Sequence, residues 1–256
     1  MSYQPDQVPQ NVLEKEVEKY IPITKPKTEF AQDVYTRFDA QDWDEAKEEM
    51  DNAEDNFDLL TKVFVLKKFD AGRFDAEVNV QKNKLLELAK EVKFLIAGKN
   101  LGHFLYFANM LKTISPIVFE DQVASQLTED NWSRLASHVQ SRIKKPDSIS
   151  DSVDLISEFQ FVAPADRQIK PDEVVSLQVE VAQLKGSGSA LDFSQIEFLK
   201  TINKFQRLFP SLAIKISKDD LREGIEKLDL FIKLNDDKQP LEIMRLAGGL
   251  LELEAD

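Results

Sequence analysis

Several residue types that carry common protein chemistry are absent or scarce in this chain of 256 residues. It contains no cysteine, which excludes disulfides, thiolate metal sites and cysteine nucleophiles. Only two histidines are present, and no apolar run approaches the roughly 18–20 residues of a membrane span. The N-terminus also lacks the pattern of a signal peptide. We therefore expect a soluble protein without membrane contact, with the cytoplasm as the default compartment.

Acidic residues are abundant and unevenly distributed. The chain has 46 acidic and 33 basic side chains, for a net charge of −13. Residues 71–145 carry 11 basic and 8 acidic groups, whereas both flanking segments are strongly acidic. An acidic surface repels phosphate backbones over most of its area, so a nucleic-acid partner is disfavoured.

Apolar residues recur at intervals of three and four from about residue 40 onward, which predicts a mainly α-helical protein. The spacing predicts one set of helices over 42–69, 74–96, 101–114, 128–143 and 148–161. Short connections between these helices are typical of a bundle. The helix at 101–114 is apolar nearly all round, so we expect it to be central. Two further helices are predicted from Ser217 and from Pro240.

Residues 174–184 fit two structures. Apolar and polar residues alternate over 175–181, which favours a strand, and 212–216 alternates in the same way and would supply its partner. A repeat of three and four residues that begins at Pro171 favours a helix instead. The fold expected is thus a helical bundle with a smaller C-terminal unit that is either helical or α+β.

The composition predicts three parts. Residues 1–38, which contain four prolines, are expected to form an extended N-terminal arm. The bundle is expected over 39–160 and the C-terminal unit over 165–256. A glycine- and serine-rich run at 185–190 predicts a flexible loop within that unit.

Residues 39–58 contain ten carboxylates and one lysine. The block has no glycine, so an EF-hand is excluded, and neither histidine follows a glutamate by three residues as a di-iron bundle requires. Trp43, Met50 and Phe57 are spaced seven apart, which leaves a thin apolar seam on an acidic helix. Such a seam, with Glu45 and Glu49 beside it, is typical of a helix that meets a partner protein or a neighbouring helix.

A basic group near residue 140 is the best candidate for an anion contact. Arg134 and Arg142 are eight residues apart and close to one helical face, with two lysines following. His138 lies in the same helix beside Ser137, but adjacent helical residues do not face each other. His103 lies in the most apolar helix, where we expect a buried, structural imidazole.

No catalytic, cofactor-binding or metal-binding residue is predicted, and no cofactor is expected. The function expected is a non-enzymatic adaptor or assembly protein that binds a basic or apolar surface of another protein or of a second copy of itself. The predicted contact residues are Trp43, Glu45, Glu49, Met50, Phe57, Arg134 and Arg142. Two alternatives remain open: a metal-dependent enzyme that uses carboxylates of 39–58, and a nucleic-acid-associated factor that uses residues 134–145.

Overall fold

A computed structural model describes residues 34–38, 40–98, 100–145, 148–184, 194–212, 218–234 and 240–250. Within these ranges the chain forms twelve α-helices and no strand, so the prediction of a mainly α-helical bundle is confirmed. No helix in the same ranges has the length and apolar composition needed to cross a bilayer. Most of the predicted arm, the loop at 185–190 and the second candidate strand beyond residue 212 lie outside the described residues.

The helices follow one another with short connections. In chain order they are α1 (Ala40–Asp51), α2 (Asn56–Phe69), α3 (Ala71–Glu77), α4 (Lys82–Ala97), α5 (Leu101–Ile114), α6 (Pro116–Gln122), α7 (Glu129–Lys144), α8 (Ile149–Val162), α9 (Val175–Leu184), α10 (Ser194–Leu208), α11 (Lys218–Leu234) and α12 (Pro240–Leu250).

Helix α5 lies at the centre of the bundle, as its sequence predicted. It packs against α2, α4, α6, α7 and α8. Five of its side chains are buried: Phe104, Leu105, Ala108, Met110 and Leu111. Because apolar residues surround most of this helix, it can meet neighbours on several sides at once.

The C-terminal helices pack directly on the earlier ones. Helix α10 lies against α8, and α12 lies against α1 and α2. The buried apolar residues form one cluster that runs from Val34 to Ala247. The division of the chain near residues 160–165 stays a prediction, but helices from both sides of it share this cluster.

Two predicted helices are interrupted. The one predicted over 42–69 ends at Asp51, and a new helix begins because the Asp55 carboxylate accepts the N–H groups of Phe57 and Asp58 at 2.8 Å. The one predicted over 74–96 ends at Glu77, where Val78 adopts an extended backbone. Neither break interrupts the spacing of the apolar residues. The sequence therefore predicted one continuous helix where the structure has two.

The ambiguous segment is helical. A 3₁₀ turn over Pro171–Val174 leads into α9, so the helical alternative is confirmed and the strand predicted over 175–181 is wrong. Val174, Leu177 and Val181 are buried together on one face, while Val175 and Val179 are exposed. The apolar intervals of three and four residues therefore correspond to the buried face of a helix, and the alternation of apolar and polar residues does not indicate a strand here.

Candidate functional site

A cleft of about 470 Å³ opens between α2, α5, α8, α10 and α12. Its apolar lining comes from all five helices: Phe64, Val65, Met110, Phe161, Leu208 and Met244. Clefts of this size between the helices of a bundle are common positions for binding sites, especially where polar groups converge on an apolar wall.

Cations outnumber carboxylates along this cleft. The cationic lining residues are Lys68, Lys200, Lys204, Arg207 and Arg245, and the acidic ones are Asp154 and Glu158. Lys204 Nζ donates to Asp154 Oδ1 at 2.6 Å, and Arg245 donates to Glu242 on its own helix at 2.7 Å. Among the lining residues that the structure describes, basic side chains thus outnumber acidic ones, on a protein with a net charge of −13.

Three of these cations form a row on α10. Lys200, Lys204 and Arg207 are separated by four and three residues, so they share one face of the helix. The rise of an α-helix spreads the row over about 10 Å. The opposite face packs into the core through Leu199, Ile202 and Phe205. The amphipathic pattern of α10 thus directs the basic row toward the cleft.

Glu158 is a carboxyl group in an unfavourable position for a charge. Burial, and after it the charge of Asp154, raise the pKa of Glu158 to about 8, although Lys204 opposes the rise. Burial, and after it the charge of Glu158, also raise the pKa of Tyr106, although Arg245 and Lys204 oppose the rise. Below its own pKa, at neutral pH, Glu158 therefore holds its proton.

Two aromatic side chains stand at the edge of the cleft. Tyr106 is 40% exposed and Phe161 is 42% exposed. Tyr106 meets Phe107 edge to face, with ring centroids 5.1 Å apart, and the Lys112 ammonium lies 5.5 Å from the centroid of Phe161. Each ring is therefore held on one side by its neighbours and presents the other side to solvent, as aromatic side chains at interfaces do.

All three residues of the predicted apolar seam pack against the core: Trp43 is buried, and Met50 and Phe57 are partly buried. Trp43 is 1% exposed, and its indole N–H donates to Glu77 Oε2 at 2.9 Å while the Arg73 guanidinium lies 4.9 Å from its ring. The Phe57 ring lies 4.4 Å from that of Phe107. The spacing of seven thus reflects contact with neighbouring helices here, and Trp43 has almost no surface to offer a partner.

The acidic block also has internal contacts. The Glu49 carboxylate accepts the N–H of Leu241 at the start of α12, and burial, its largest influence, raises the pKa of Glu49. Asp58 pairs with Lys62 at 2.8 Å, and Glu45 accepts from Gln41 at 2.6 Å. Across the described residues, no group of three acidic or histidine side chains has the geometry to hold a metal ion.

Arg134 and Arg142 lie on either side of His138 on α7, and neither arginine lines the cleft. Burial, and then the charge of Arg142, lower the pKa of His138. His103 is exposed, contrary to expectation, because it lies in the first turn of α5 beyond the core. Its Nδ1 atom is 2.7 Å from Asn100 Nδ2.

Sequence reasoning missed the cleft. One signal was readable: the basic row at 200, 204 and 207 lies on one helical face, and Asp154 and Glu158 place two like charges four residues apart, which is unfavourable unless something compensates it. The meeting of five helices around these residues depends on tertiary packing and leaves no local pattern. Comparison with protein-family models, with curated proteins and with solved structures found no match for this chain.

Proposed function

We propose that this protein acts by non-enzymatic binding of another protein, and that the cleft between α2, α5, α8, α10 and α12 is its recognition site. The observation that carries the proposal is the presence, in one cleft between five helices, of the exposed aromatic rings of Tyr106 and Phe161 beside basic side chains. An adaptor or assembly role in the cytoplasm, with a second copy of the chain among its candidate partners, is part of the same proposal.

The composition of the cleft supports recognition of a protein. Aromatic residues, methionine and arginine are enriched in the cores of protein interfaces, and this lining contains Tyr106, Phe161, Met244 and Arg207. A groove between helices that combines an apolar floor with charged edges is also the usual receptor for an amphipathic helix.

The two alternative functions have weaker support from the described residues. The carboxylates of 39–58 that would serve a metal-dependent enzyme include Glu49, Asp55 and Asp58, which hold helix ends and an ion pair. Arg134 and Arg142, which would serve a nucleic-acid contact, are both half-buried. Among the described residues, neither region has an exposed large apolar side chain, whereas the cleft has Tyr106 and Phe161.

The proposal is tested by photo-crosslinking from the cleft in the native cell. A benzophenone amino acid replaces Phe161 at the edge of the cleft or, as the control, Phe94, which is 75% exposed on α4 outside it. We expect the probe at 161 to give an adduct of defined mass with one protein, and the probe at 94 to give none.

A second variant shows whether the adduct depends on the cleft. A Cβ atom added at Gly248 meets no heavy atom within 4 Å, so Gly248→Trp can direct its ring into the cleft without a backbone clash. We expect Gly248→Trp to abolish the adduct at 161. Equal adducts from both probe positions, no adduct at 161, or an adduct that persists in Gly248→Trp would each contradict the proposal.

A further inference from the structure

We infer that the loss of a proton opens the cleft: when the Glu158 carboxyl ionises, α8 and α10 separate and water enters between them. The helices stay folded in this opening, which exposes the floor of the cleft and admits a partner. The inference names the regulation of the same site. It rests on the proposed function, because the cleft that opens is the proposed recognition site.

The arrangement of two carboxyl groups and one lysine is the first step. Asp154 and Glu158 are one helical turn apart on α8, and both line the cleft. Lys204 on α10 donates to Asp154 Oδ1 at 2.6 Å and so joins the two helices. Within the part of the chain that the structure describes, the Glu158 carboxyl forms no hydrogen bond. An ionised Glu158 would therefore place a second negative charge beside Asp154 without a donor of its own.

The surroundings of Glu158 are the second step. Besides Asp154, the charged and titratable groups of the lining are Lys68 on α2, Tyr106 on α5, Lys200, Lys204 and Arg207 on α10, and Arg245 on α12. Among the described residues, none from α7 or α9, which also pack on α8, lines the cleft. Each cation of the lining already has an interaction of its own. An ionised Glu158 must therefore compete for one of them or gain water, and water reaches it when the cleft widens.

The pH range of the opening is the third step. Burial, and then the charge of Asp154, raise the pKa of Glu158 from the usual 4.5 to about 8 in the closed cleft. Hydration in an open cleft returns this pKa toward 4.5, so between the two values the closed cleft holds a proton that the open one releases. The ratio of open to closed molecules therefore grows by up to about tenfold for each pH unit in this range and is constant above about pH 8. Lysine, arginine and tyrosine side chains in general titrate near pH 10 or above, outside the range.

Two buried methionines of the cleft report its opening without a partner. Met110 is 2% exposed and Met244 is 1% exposed, and both line the cleft. Hydrogen peroxide converts a thioether to a sulfoxide where it reaches the sulfur, and the thioether itself does not titrate. The full-length protein is treated with peroxide between pH 5 and 8.5, and mass spectrometry of its peptides gives the oxidation rate of each methionine. We expect both rates to rise by about tenfold or more between pH 5.5 and 8 and then to level off.

Three carboxyl variants make the test specific to Glu158. Glu158→Gln cannot ionise, so we expect its two oxidation rates to change by less than about twofold over the same pH range. Asp154→Asn removes the neighbouring charge and leaves Glu158 able to titrate, so the dependence on pH should be weaker than in the wild type but not absent. Glu87→Gln, at an exposed carboxylate on α4, is the matched control and should follow the wild-type profile.

A methionine outside the cleft distinguishes opening from unfolding of the whole chain. Leu88 is 1% exposed on α4 and does not line the cleft, and Leu88→Met nearly conserves the volume of the side chain. At pH 8 we expect the methionine at this position to be oxidised at least about tenfold more slowly than Met110 and Met244. Equal rates at the three positions would show that unfolding, and not the cleft, exposes them, and would overturn the inference.

The outcomes separate the inference from the proposed function. Oxidation of Met110 and Met244 that is absent, that does not change with pH, or that changes equally in Glu158→Gln would overturn the inference and leave the cleft as a protein-binding site. Absence of a crosslinked partner at position 161 would overturn the proposed function, even where the oxidation rates follow the expected profile.

Discussion

At the scale of single residues, Glu158 makes the stability of the protein depend on pH. Its pKa is raised from the usual 4.5 to about 8, first by burial and then by Asp154. Between these two values the folded protein holds a proton that the unfolded chain releases. The free energy of unfolding contributed by this group therefore falls as the pH rises from about 4.5 to about 8.

Glu158→Gln tests this dependence, because it keeps the shape of the side chain and removes its titration. We expect the variant to raise the free energy of unfolding by about 1–3 kcal/mol at pH 8.5 and to leave it nearly unchanged at pH 4. Urea unfolding at both pH values measures the difference. Glu87→Gln, at an exposed carboxylate on α4, serves as the control and should shift either value by less than about 0.5 kcal/mol. An equal gain at both pH values would contradict the assignment.

Individual residues of the site could be predicted from the sequence only in part. The spacing of Trp43, Met50 and Phe57 predicted one apolar seam on one helix, whereas Phe57 lies on α2 and all three residues pack against the core. An interior seam and a partner-binding seam have the same spacing. The basic row on α10 was equally visible in the sequence. Its relation to Asp154 was not, because the ion pair with Lys204 spans 50 residues and depends on how α8 and α10 pack.

At the scale of helices, apolar periodicity predicted most of the elements and their faces. The ends of the helices can be read from the sequence only where a capping residue stands out from its neighbours. Thr128 caps α7 together with Asn131: Thr128 Oγ1 accepts the Asn131 N–H at 3.3 Å, and Asn131 Oδ1 accepts the Thr128 N–H at 3.0 Å. Asp55 caps α2 in the same way but lies in a run of acidic residues, where nothing in the sequence distinguishes it from its neighbours.

The cap of α7 provides a prediction about stability. Thr128→Ala removes the hydroxyl that accepts the Asn131 N–H, so we expect the free energy of unfolding to fall by about 1 kcal/mol. Thr128→Ser keeps the hydroxyl and should remain close to the wild type. Urea unfolding of the three proteins compares them directly, and an equal loss in both variants would show that the methyl group, not the cap, is responsible.

Helix α12 contains a glycine whose replacement should stabilise the protein. Gly248 lies within the helix, and an added Cβ would meet no heavy atom within 4 Å. Alanine lowers the conformational entropy of the unfolded chain, so Gly248→Ala should raise the free energy of unfolding by about 0.5–1 kcal/mol. Gly102→Ala in α5 is a matched comparison, since its Cβ would lie 3.7 Å from His138 Nε2, an ordinary contact. A loss of stability in Gly248→Ala would show that this side of α12 is not open.

At the scale of the whole molecule, contacts between distant parts of the chain join the three parts that the composition predicted. Arg37 donates to both carboxylate oxygens of Asp229, at 2.5 and 3.1 Å. The Glu49 carboxylate accepts the N–H of Leu241 at the start of α12. The sequence indicated which face of each helix is apolar, but it could not indicate which helices those faces meet. The division near residue 160 was therefore inferred from composition, while α8 and α10 pack across it.

This packing predicts that the chain unfolds as one cooperative unit. Both tryptophans, Trp43 and Trp132, lie in the predicted bundle, so their fluorescence reports that part alone, whereas far-UV circular dichroism reports every helix. We expect the two signals to give the same urea transition. Met244→Ala, at a buried side chain of α12, should lower the free energy of unfolding by about 2–5 kcal/mol and shift both transitions to the same new midpoint. If the circular dichroism midpoint moved while the tryptophan midpoint did not, the C-terminal helices would unfold separately, and a cleft that needs α10 and α12 could open without loss of the bundle.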